Sequence, residues 1–259
     1  MKRYLAIVLI AASTILAPSS ALAAFPTQSI DFEQASNQYA EAADSASLSV
    51  ASDLTVEAWI KIESIAGSAF YIVSKWLSTG NQRSYIFRVQ PTTLDFLVSA
   101  DGATNDNKSV SWTPSLGVWY HVAVSWTAAT SVSKFYVDGV QQGADQTGTR
   151  TAIFDSTDKL YVGAFEAGAT IDGRVGLERV WAEARTGTQI NDNKCAILGS
   201  TTNLKAEWTF DNVLTDNSGN SNTLTAIASP VFSADVTAAC ATVAVAAQAS
   251  QPLIAFGFE

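Results

Sequence analysis

The chain carries one histidine, His121, and two cysteines, Cys195 and Cys240, among 259 residues. That inventory closes several routes to catalysis. A structural zinc site of four cysteines, or of two cysteines and two histidines, cannot be assembled, and neither can a catalytic zinc on three histidines. A serine nucleophile would have His121 as its only imidazole base, and no Gly-x-Ser-x-Gly elbow is present. Glycoside hydrolysis needs two carboxyls across one sugar bond, ~5–5.5 Å apart for retention. Glu57 stands alone on its segment, and Glu178 and Glu183 are five apart, on opposite faces of any extended strand. The sequence is therefore read as non-catalytic, with His121 a packed sheet histidine and Glu57 its neighbour across the sheet.

Binding chemistry is better represented. The run Asp216-Asn-Ser-Gly-Asn-Ser-Asn gathers Asp216, Asn217, Asn220 and Asn222, the oxygen donors that calcium takes six to eight of. The same residues build solvated turns without any metal, and both readings stand. There are seven tryptophans. Trp59, Trp119, Trp126, Trp181 and Trp208 fall in strand patterns and are expected in a core. Trp76 and Trp112 fall at strand ends, near Lys75, Arg83 and a 101–108 loop. Aromatic rings offer large apolar faces with polar edges, and binding residues collect on loops held by rigid sheets. Trp76, Arg83, Asp101, Asn105, Asp106 and Trp112 are thus the candidate ligand-binding patch.

The elements that must position these residues are strands. In 54–62, Val56, Ala58, Ile60 and Ile62 share one face while Thr55, Glu57, Trp59 and Lys61 share the other, a period of two that predicts a half-buried strand. Similar patterns predict strands over 70–75, 84–89, 93–99, 119–126, 133–137, 140–142, 160–165, 174–181, 204–210 and 223–227. Asp138-Gly139 between apolar runs predicts a two-residue hairpin turn. Only 186–193, with Thr186 as a cap, reads as helical. Short strands at regular spacing without a long amphipathic helix predict an all-β fold, an antiparallel two-sheet β-sandwich.

Composition bounds the setting. Met1-Lys2-Arg3, an uncharged apolar run over 4–16 and Ala21-Leu22-Ala23 form a secretory signal peptide pattern, with cleavage expected after Ala23. The apolar run is too short for the ~20 residues of a membrane span. Removing Lys2 and Arg3 leaves 13 basic against 24 acidic residues, 13 − 24 = −11 from a full-length net charge of −9. Such a chain disfavours a nucleic-acid partner, which needs clustered cations. Secretion means an oxidising compartment, so Cys195 and Cys240 are expected to pair as a disulfide, two free thiols being the alternative. Hydrophobic residues at 47% and charged ones at 15% suit a buried core through most of the chain. The Ala-rich 238–259 segment reads as a C-terminal tail.

Several segments in order resemble the laminin-G-like jelly roll of the concanavalin A-like lectin/glucanase superfamily in bacterial secreted proteins. They are Ser29-Ile-Asp-Phe-Glu, Leu54-Thr-Val-Glu-Ala-Trp-Ile-Lys, Ile72-Val-Ser-Lys-Trp with Gln82-Arg-Ser-Tyr, Gly117-Val-Trp-Tyr-His-Val-Ala-Val, Phe135-Tyr-Val-Asp-Gly and Gly173-Arg-Val-Gly-Leu-Glu-Arg-Val-Trp. The resemblance implies a domain over 24–237, with a core over 28–192 and an added strand segment over 200–235. It implies secretion, binding of a glycan or a cell-surface protein, and often a structural calcium. Asp31, Glu33 and Asp172 are the candidate metal ligands where the sandwich closes. Gly176 and Leu177 stand where the family often has two acids, Glu33 where Asp is usual, and Gln38 where another Asp is common, which weakens an inherited site. The Glu-x-Asp-x-x-Glu strand of the related glucanases is absent. The implied function is carbohydrate recognition, with a structural or adhesive module that meets protein as the alternative.

Overall fold

The computed structural model describes residues 25–65 and 69–240; the expected signal peptide over 1–23 and the expected tail beyond Cys240 lie outside the described residues. In chain order the strands are β1 (Ser29–Phe32), β2 (Tyr39–Ala42), β3 (Leu54–Ser64), β4 (Phe70–Leu77), β5 (Gln82–Val89), β6 (Thr93–Ser99), β7 (Asn105–Ser111), β8 (Trp119–Thr127), β9 (Val132–Val137), β10 (Val140–Thr147), β11 (Leu160–Val162), β12 (Ala164–Phe165), β13 (Ala169–Thr170), β14 (Asp172–Trp181), β15 (Leu204–Trp208), β16 (Thr225–Ile227) and β17 (Val231–Ser233), with one α-helix, α1 (Gly187–Asn193). The first sheet runs β10-β9-β8-β3-β14-β1-β17, with β15 beside the second half of β14; the other runs β16-β2-β11-β4-β5-β6-β7. Every pairing is antiparallel, as a fold built of hairpins and returns requires.

Alternation explains the main core. Val56, Ala58, Ile60 and Ile62 of β3 meet Phe87, Phe96, Val122, Val124 and Trp126 between the sheets. Turn chemistry sets the register: Asp138 and Gly139 take φ of 52° and 85°, both positive as a type I′ turn demands, and Val137 pairs with Val140. Thr186 caps α1 by accepting from the Gln189 amide while Gln189 reaches back to the Thr186 amide.

The opposite face of β3, with Thr55, Glu57 and Trp59, is also buried. The 182–199 segment crosses it and is tied by the Cys195–Cys240 disulfide. Trp59, Leu177 and Cys240 form a second small core there, joined by Phe25, Trp119 and Cys195. A crosslink over 45 residues contributes roughly 4 kcal/mol in the chain-entropy model. Several polar groups under that cover have specific partners. Trp59 Nε1 donates to the Lys194 carbonyl at 2.7 Å, and Trp119 Nε1 to Asp235 Oδ1 at 2.9 Å. Arg179 donates to Glu57 Oε1 at 3.0 Å, to Glu207 Oε1 at 2.8 Å and to the Ala196 carbonyl. Glu57 also accepts from Trp181 Nε1 at 2.9 Å and does face His121 Nε2, 3.4 Å from its other oxygen. Burial alone would raise the Glu57 pKa, but the Arg179 charge, then His121 and Trp181, hold it well below the usual carboxylate value.

Three strands depart from the sequence-based expectation. The 101–108 stretch is a loop only to Thr104; from Asn105 it is the edge strand β7, whose alternation is of polar residues. Gly163 divides the expected 160–165 strand, because its φ of 78° turns the chain and a Cβ there would lie 2.9 Å from the Phe32 ring. The 200–235 segment supplies β15, β16 and β17, each on a different neighbour.

Glu178 is the one conspicuous misfit. It lies opposite Ala58 on the core-facing side of β14, and both its carboxyl oxygens are buried without a hydrogen-bond partner. Burial pushes its pKa well above the ordinary value. The folded state therefore keeps a proton that the unfolded chain releases above about pH 4.5, so this group's penalty is absent at lower pH and grows as pH rises. Glu178→Leu is expected to stabilise the protein by about 1–3 kcal/mol at pH 7, with a smaller gain near pH 4, measured by urea unfolding at both pH values. A loss of stability at pH 7 would contradict this account.

Candidate functional site

The first sheet spends most of its outer face on the 182–199 cover, so the broader open sheet face belongs to β4–β7. Register places Tyr71, Arg88, Asp95 and Ser109 side by side across it, and Ser74, Ile86, Leu97 and Asn107 in the next row. Arg88 Nε and Nη2 donate to Asp95 Oδ2 at 3.3 and 3.2 Å, and Thr93 Oγ1 donates to Asp95 Oδ1 at 2.7 Å. The Arg88 guanidinium lies 5.9 Å from the Tyr71 ring centroid.

The β12–β13 hairpin folds onto this face after the turn at Gly163. Phe165 stacks on Tyr71, with ring centroids 5.2 Å apart and planes 18° from parallel. Ser74 Oγ donates to the Ala164 carbonyl at 2.9 Å, and the Ser78 amide donates to Glu166 Oε1 at 2.6 Å, so the hairpin is tied at both ends. Trp76 packs beneath with Ile86 and Leu97. The result is an aromatic step, Tyr71 and Phe165, beside a hydrogen-bonding pair, Arg88 and Asp95, with exposed Asn107 and Ser109 at the rim. Such a surface offers an apolar plane together with donors and acceptors at its edge. None of Tyr71, Arg88, Asp95 or Phe165 was singled out in the sequence, although the 90–92 turn between two predicted strands places Arg88 across from Asp95.

The residues of the expected patch are dispersed. Trp76 is only 3% exposed because the hairpin covers it. Trp112 is half-buried, packed edge-on against Tyr120 at 5.2 Å, at the opposite end of β7 from Asn105. Arg83 donates to the Ala103 carbonyl, and Asp101 Oδ1 accepts from the Ala103 and Thr104 amides at 2.9 and 2.7 Å, so both serve their own turn. Asp106 points away from the open face and accepts from the Thr149 and Arg150 amides. Asn105 is exposed at the corner of the face, and Asp101 is exposed in its turn.

The acidic sets are committed in different ways. Asp31, Glu33 and Glu63 bring one carboxylate oxygen each within 4.8 Å of one another, and Asp31 Oδ1 is buried without a partner. Asp172 is near enough to add to the field that, after burial, keeps the Glu63 pKa raised. Arg174 is already among them, bonded to Asp31 Oδ2 at 2.8 Å, Glu63 Oε1 at 2.6 Å and Asp235 Oδ2 at 2.9 Å. In the other set, Asp216 Oδ1 accepts from the Glu207 and Ser218 amides, and Oδ2 from Ser218 Oγ and the Asn222 amide. Asn217 donates its amide to the Glu207 carbonyl, and the side chains of Asn220 and Asn222 donate to backbone carbonyls of 204–205. That arrangement is a turn satisfied by itself.

Residues 34–191 match the concanavalin A-like lectin/glucanases superfamily. The chain belongs to that superfamily. Among solved structures, this member is similar to a putative carbohydrate binding protein from Bacteroides ovatus at 21% identity and a TM-score of 0.61 over 81% of this chain; the chain spans 60% of that protein's length. It is similar to the heptameric SAP-like pentraxin of Limulus polyphemus at 19% identity and a TM-score of 0.58, over 79% of this chain and 94% of that one. It is also similar to the CBM40 of the Ruminococcus gnavus IT-sialidase, solved with α2,3-sialyllactose, at 12% identity and a TM-score of 0.51, over 64% of this chain and 98% of that one. These likenesses establish the sandwich. No curated protein matches the chain. The carboxylates weighed for catalysis lie apart in this lectin/glucanase-superfamily member: Glu57 is buried and locked to Arg179, Glu178 lies in the main core, and the half-buried Glu183 pairs with Arg185 at 2.7 Å.

Asp106 gives the site region a pH signature. Burial would raise its pKa, but the Thr149 and Arg150 amides hold it at about 2. A lowered folded pKa stabilises above the unfolded value near 4 and loses that contribution as pH falls toward 2. Asp106→Ala is expected to cost about 1.5–3 kcal/mol at pH 7 and to speed amide exchange at Thr149 and Arg150. Unchanged exchange there would refute the tether.

Proposed function

We propose that this chain is a secreted, non-catalytic module that binds carbohydrate on the open face of β4–β7. The observation that carries the reading is the Tyr71–Phe165 step beside the Arg88–Asp95 pair. A pyranose has an apolar face, which an aromatic ring can cover, and a rim of hydroxyls, which need partners that both donate and accept. Arg88 supplies a donor held in place by its bonds to the buried Asp95 before a ligand arrives, which reduces the ordering cost of binding, and the exposed Asn107 and Ser109 side chains can both donate and accept. The carbohydrate-binding descriptions of the Bacteroides ovatus and Ruminococcus gnavus neighbours support the same reading. The disulfide suits an oxidising compartment, and among the described residues no helix is long and apolar enough to cross a membrane.

Tyr71→Ala and Arg88→Ala are each expected to weaken binding of a saccharide found by screening by about tenfold, near 1.4 kcal/mol, with melting temperature shifted by only a few degrees. Calorimetric titration of wild type and both variants decides it. Equal affinity in all three would sink this face as the site, and the protein-contact reading would take its place.

Calcium is proposed to be dispensable for this module, because Arg174 supplies the positive charge at the Asp31–Glu33–Glu63 cluster. Calcium or EDTA is expected to leave the wild-type melting temperature unmoved. Arg174→Gln, which leaves those acids uncompensated, is expected to melt lower and to recover roughly 3 °C in calcium. A wild-type shift of that size would show a resident ion instead.

A further inference from the structure

A second groove, of about 500 Å³, opens on the outer face of the first sheet. That volume lies within the ~300–1,000 Å³ of ordinary ligand clefts. Its floor is Ser125, Lys134, Tyr136 and Gln141, which register places on one side of β8, β9 and β10. Its wall is Arg185 and Thr186, where the cover segment leads into α1. The wall is closely fitted: a Cβ at Gly187 would lie 2.9 Å from Tyr136 Cε1, so only glycine lets the chain pass the ring at this distance.

The charge of the groove runs against that of the chain. The protein carries a net −9, yet the lining holds two cations, Lys134 and Arg185, and no carboxylate. Arg185 lies over the Trp181 ring at 3.8 Å, and Nη1 donates to Glu183 Oε1, which fixes the guanidinium plane. Its Nε is buried without a hydrogen-bond partner. Arg185 is only 6% exposed yet lines the groove, so the stacked guanidinium sets a fixed positive charge at its wall. Lys134 reaches Asp145 Oδ2 at 3.4 Å, both side chains being about half-exposed, so that pair is weak and exchangeable.

We propose that this groove is a second saccharide site, selective for sugars that bear a carboxylate. Lys134 and Arg185 meet the carboxylate, Tyr136 underlies the ring, and Ser125, Gln141 and Thr186 take the hydroxyls. The planar guanidinium fork favours a planar carboxylate, and the aromatic floor with hydroxyl and amide edges favours a polyol over a small inorganic anion, which would leave most of the volume empty. The inference stands whether or not the β4–β7 face binds sugar.

The test is amide-shift mapping on isotope-labelled mature protein with tri-galacturonate and a hyaluronan tetrasaccharide, against neutral maltotriose. The acidic sugars are expected to shift the amides around Lys134, Gln141 and Gly187 at low millimolar concentration, and maltotriose to leave them unmoved. Lys134→Gln should weaken the acidic sugars about fivefold, and Asp145→Asn, which frees Lys134, should tighten them about twofold, in line with ~0.2–1 kcal/mol for exposed charge pairs. Arg185→Lys keeps the charge but loses the fork and should weaken them further, with its fold checked by melting. Tyr71→Ala should have no effect on these shifts, which separates this site from the sheet face. Groove amides unmoved by both acidic sugars, equal shifts with maltotriose, or insensitivity to Lys134→Gln would each overturn the proposal.

Discussion

Arg179 is the contact on which the outer half of the molecule depends. One guanidinium joins β3 through Glu57, β15 through Glu207, and the cover segment through the Ala196 carbonyl. Glu207 in turn accepts from the Leu198 and Gly199 amides at 2.9 and 2.8 Å, so the cover is held at three successive places. A buried pair of this kind adds little over a well-packed apolar substitute, but removing one partner leaves an uncompensated charge at a cost of about 3–5 kcal/mol. The network thus specifies where the cover must lie more than it deepens the stability. The disulfide and the Trp59–Leu177 cluster then secure a path that the ion network has chosen.

That choice distributes function over the two sheets. With β3, β8 and β14 covered, the first sheet keeps only the margin where β9 and β10 meet the entry to α1. The second sheet keeps its face open except where β12 and β13 lie on it, and that hairpin brings the aromatic step rather than closing the surface. Part of the acidic composition is engaged within the fold, at Arg174 among Asp31, Glu63 and Asp235 and at the self-satisfied Asp216 turn. An acid-rich sequence here reflects turns and internal pairs more than an ion-binding surface.

Much of the frame was legible because alternation writes it directly. The pattern over 54–62, 93–99 and 119–126 gives β3, β6 and β8, and Asp138-Gly139 gives its hairpin. The Glu57–His121 contact and the core roles of Trp126, Trp181 and Trp208 also follow from strand position. β7 escaped because Asn105, Asn107, Ser109 and Ser111 face solvent at a sheet edge, where no apolar alternation is needed. The candidate face escaped for another reason. Trp76 has the right chemistry, but a hairpin distant in sequence covers it, while Tyr71 and Arg88 gain their role from neighbours brought by register. Local pattern fixes which side a residue faces; long-range closure decides whether that side meets water.

The most direct test of carbohydrate recognition on the open face is a glycan array probed with residues 24–259, in calcium and again in EDTA, with Tyr71→Ala alongside. The account predicts neutral-saccharide hits that persist in EDTA and fade with Tyr71→Ala. An absence of neutral-sugar hits in both buffers, or neutral-sugar hits that Tyr71→Ala leaves intact, would contradict it.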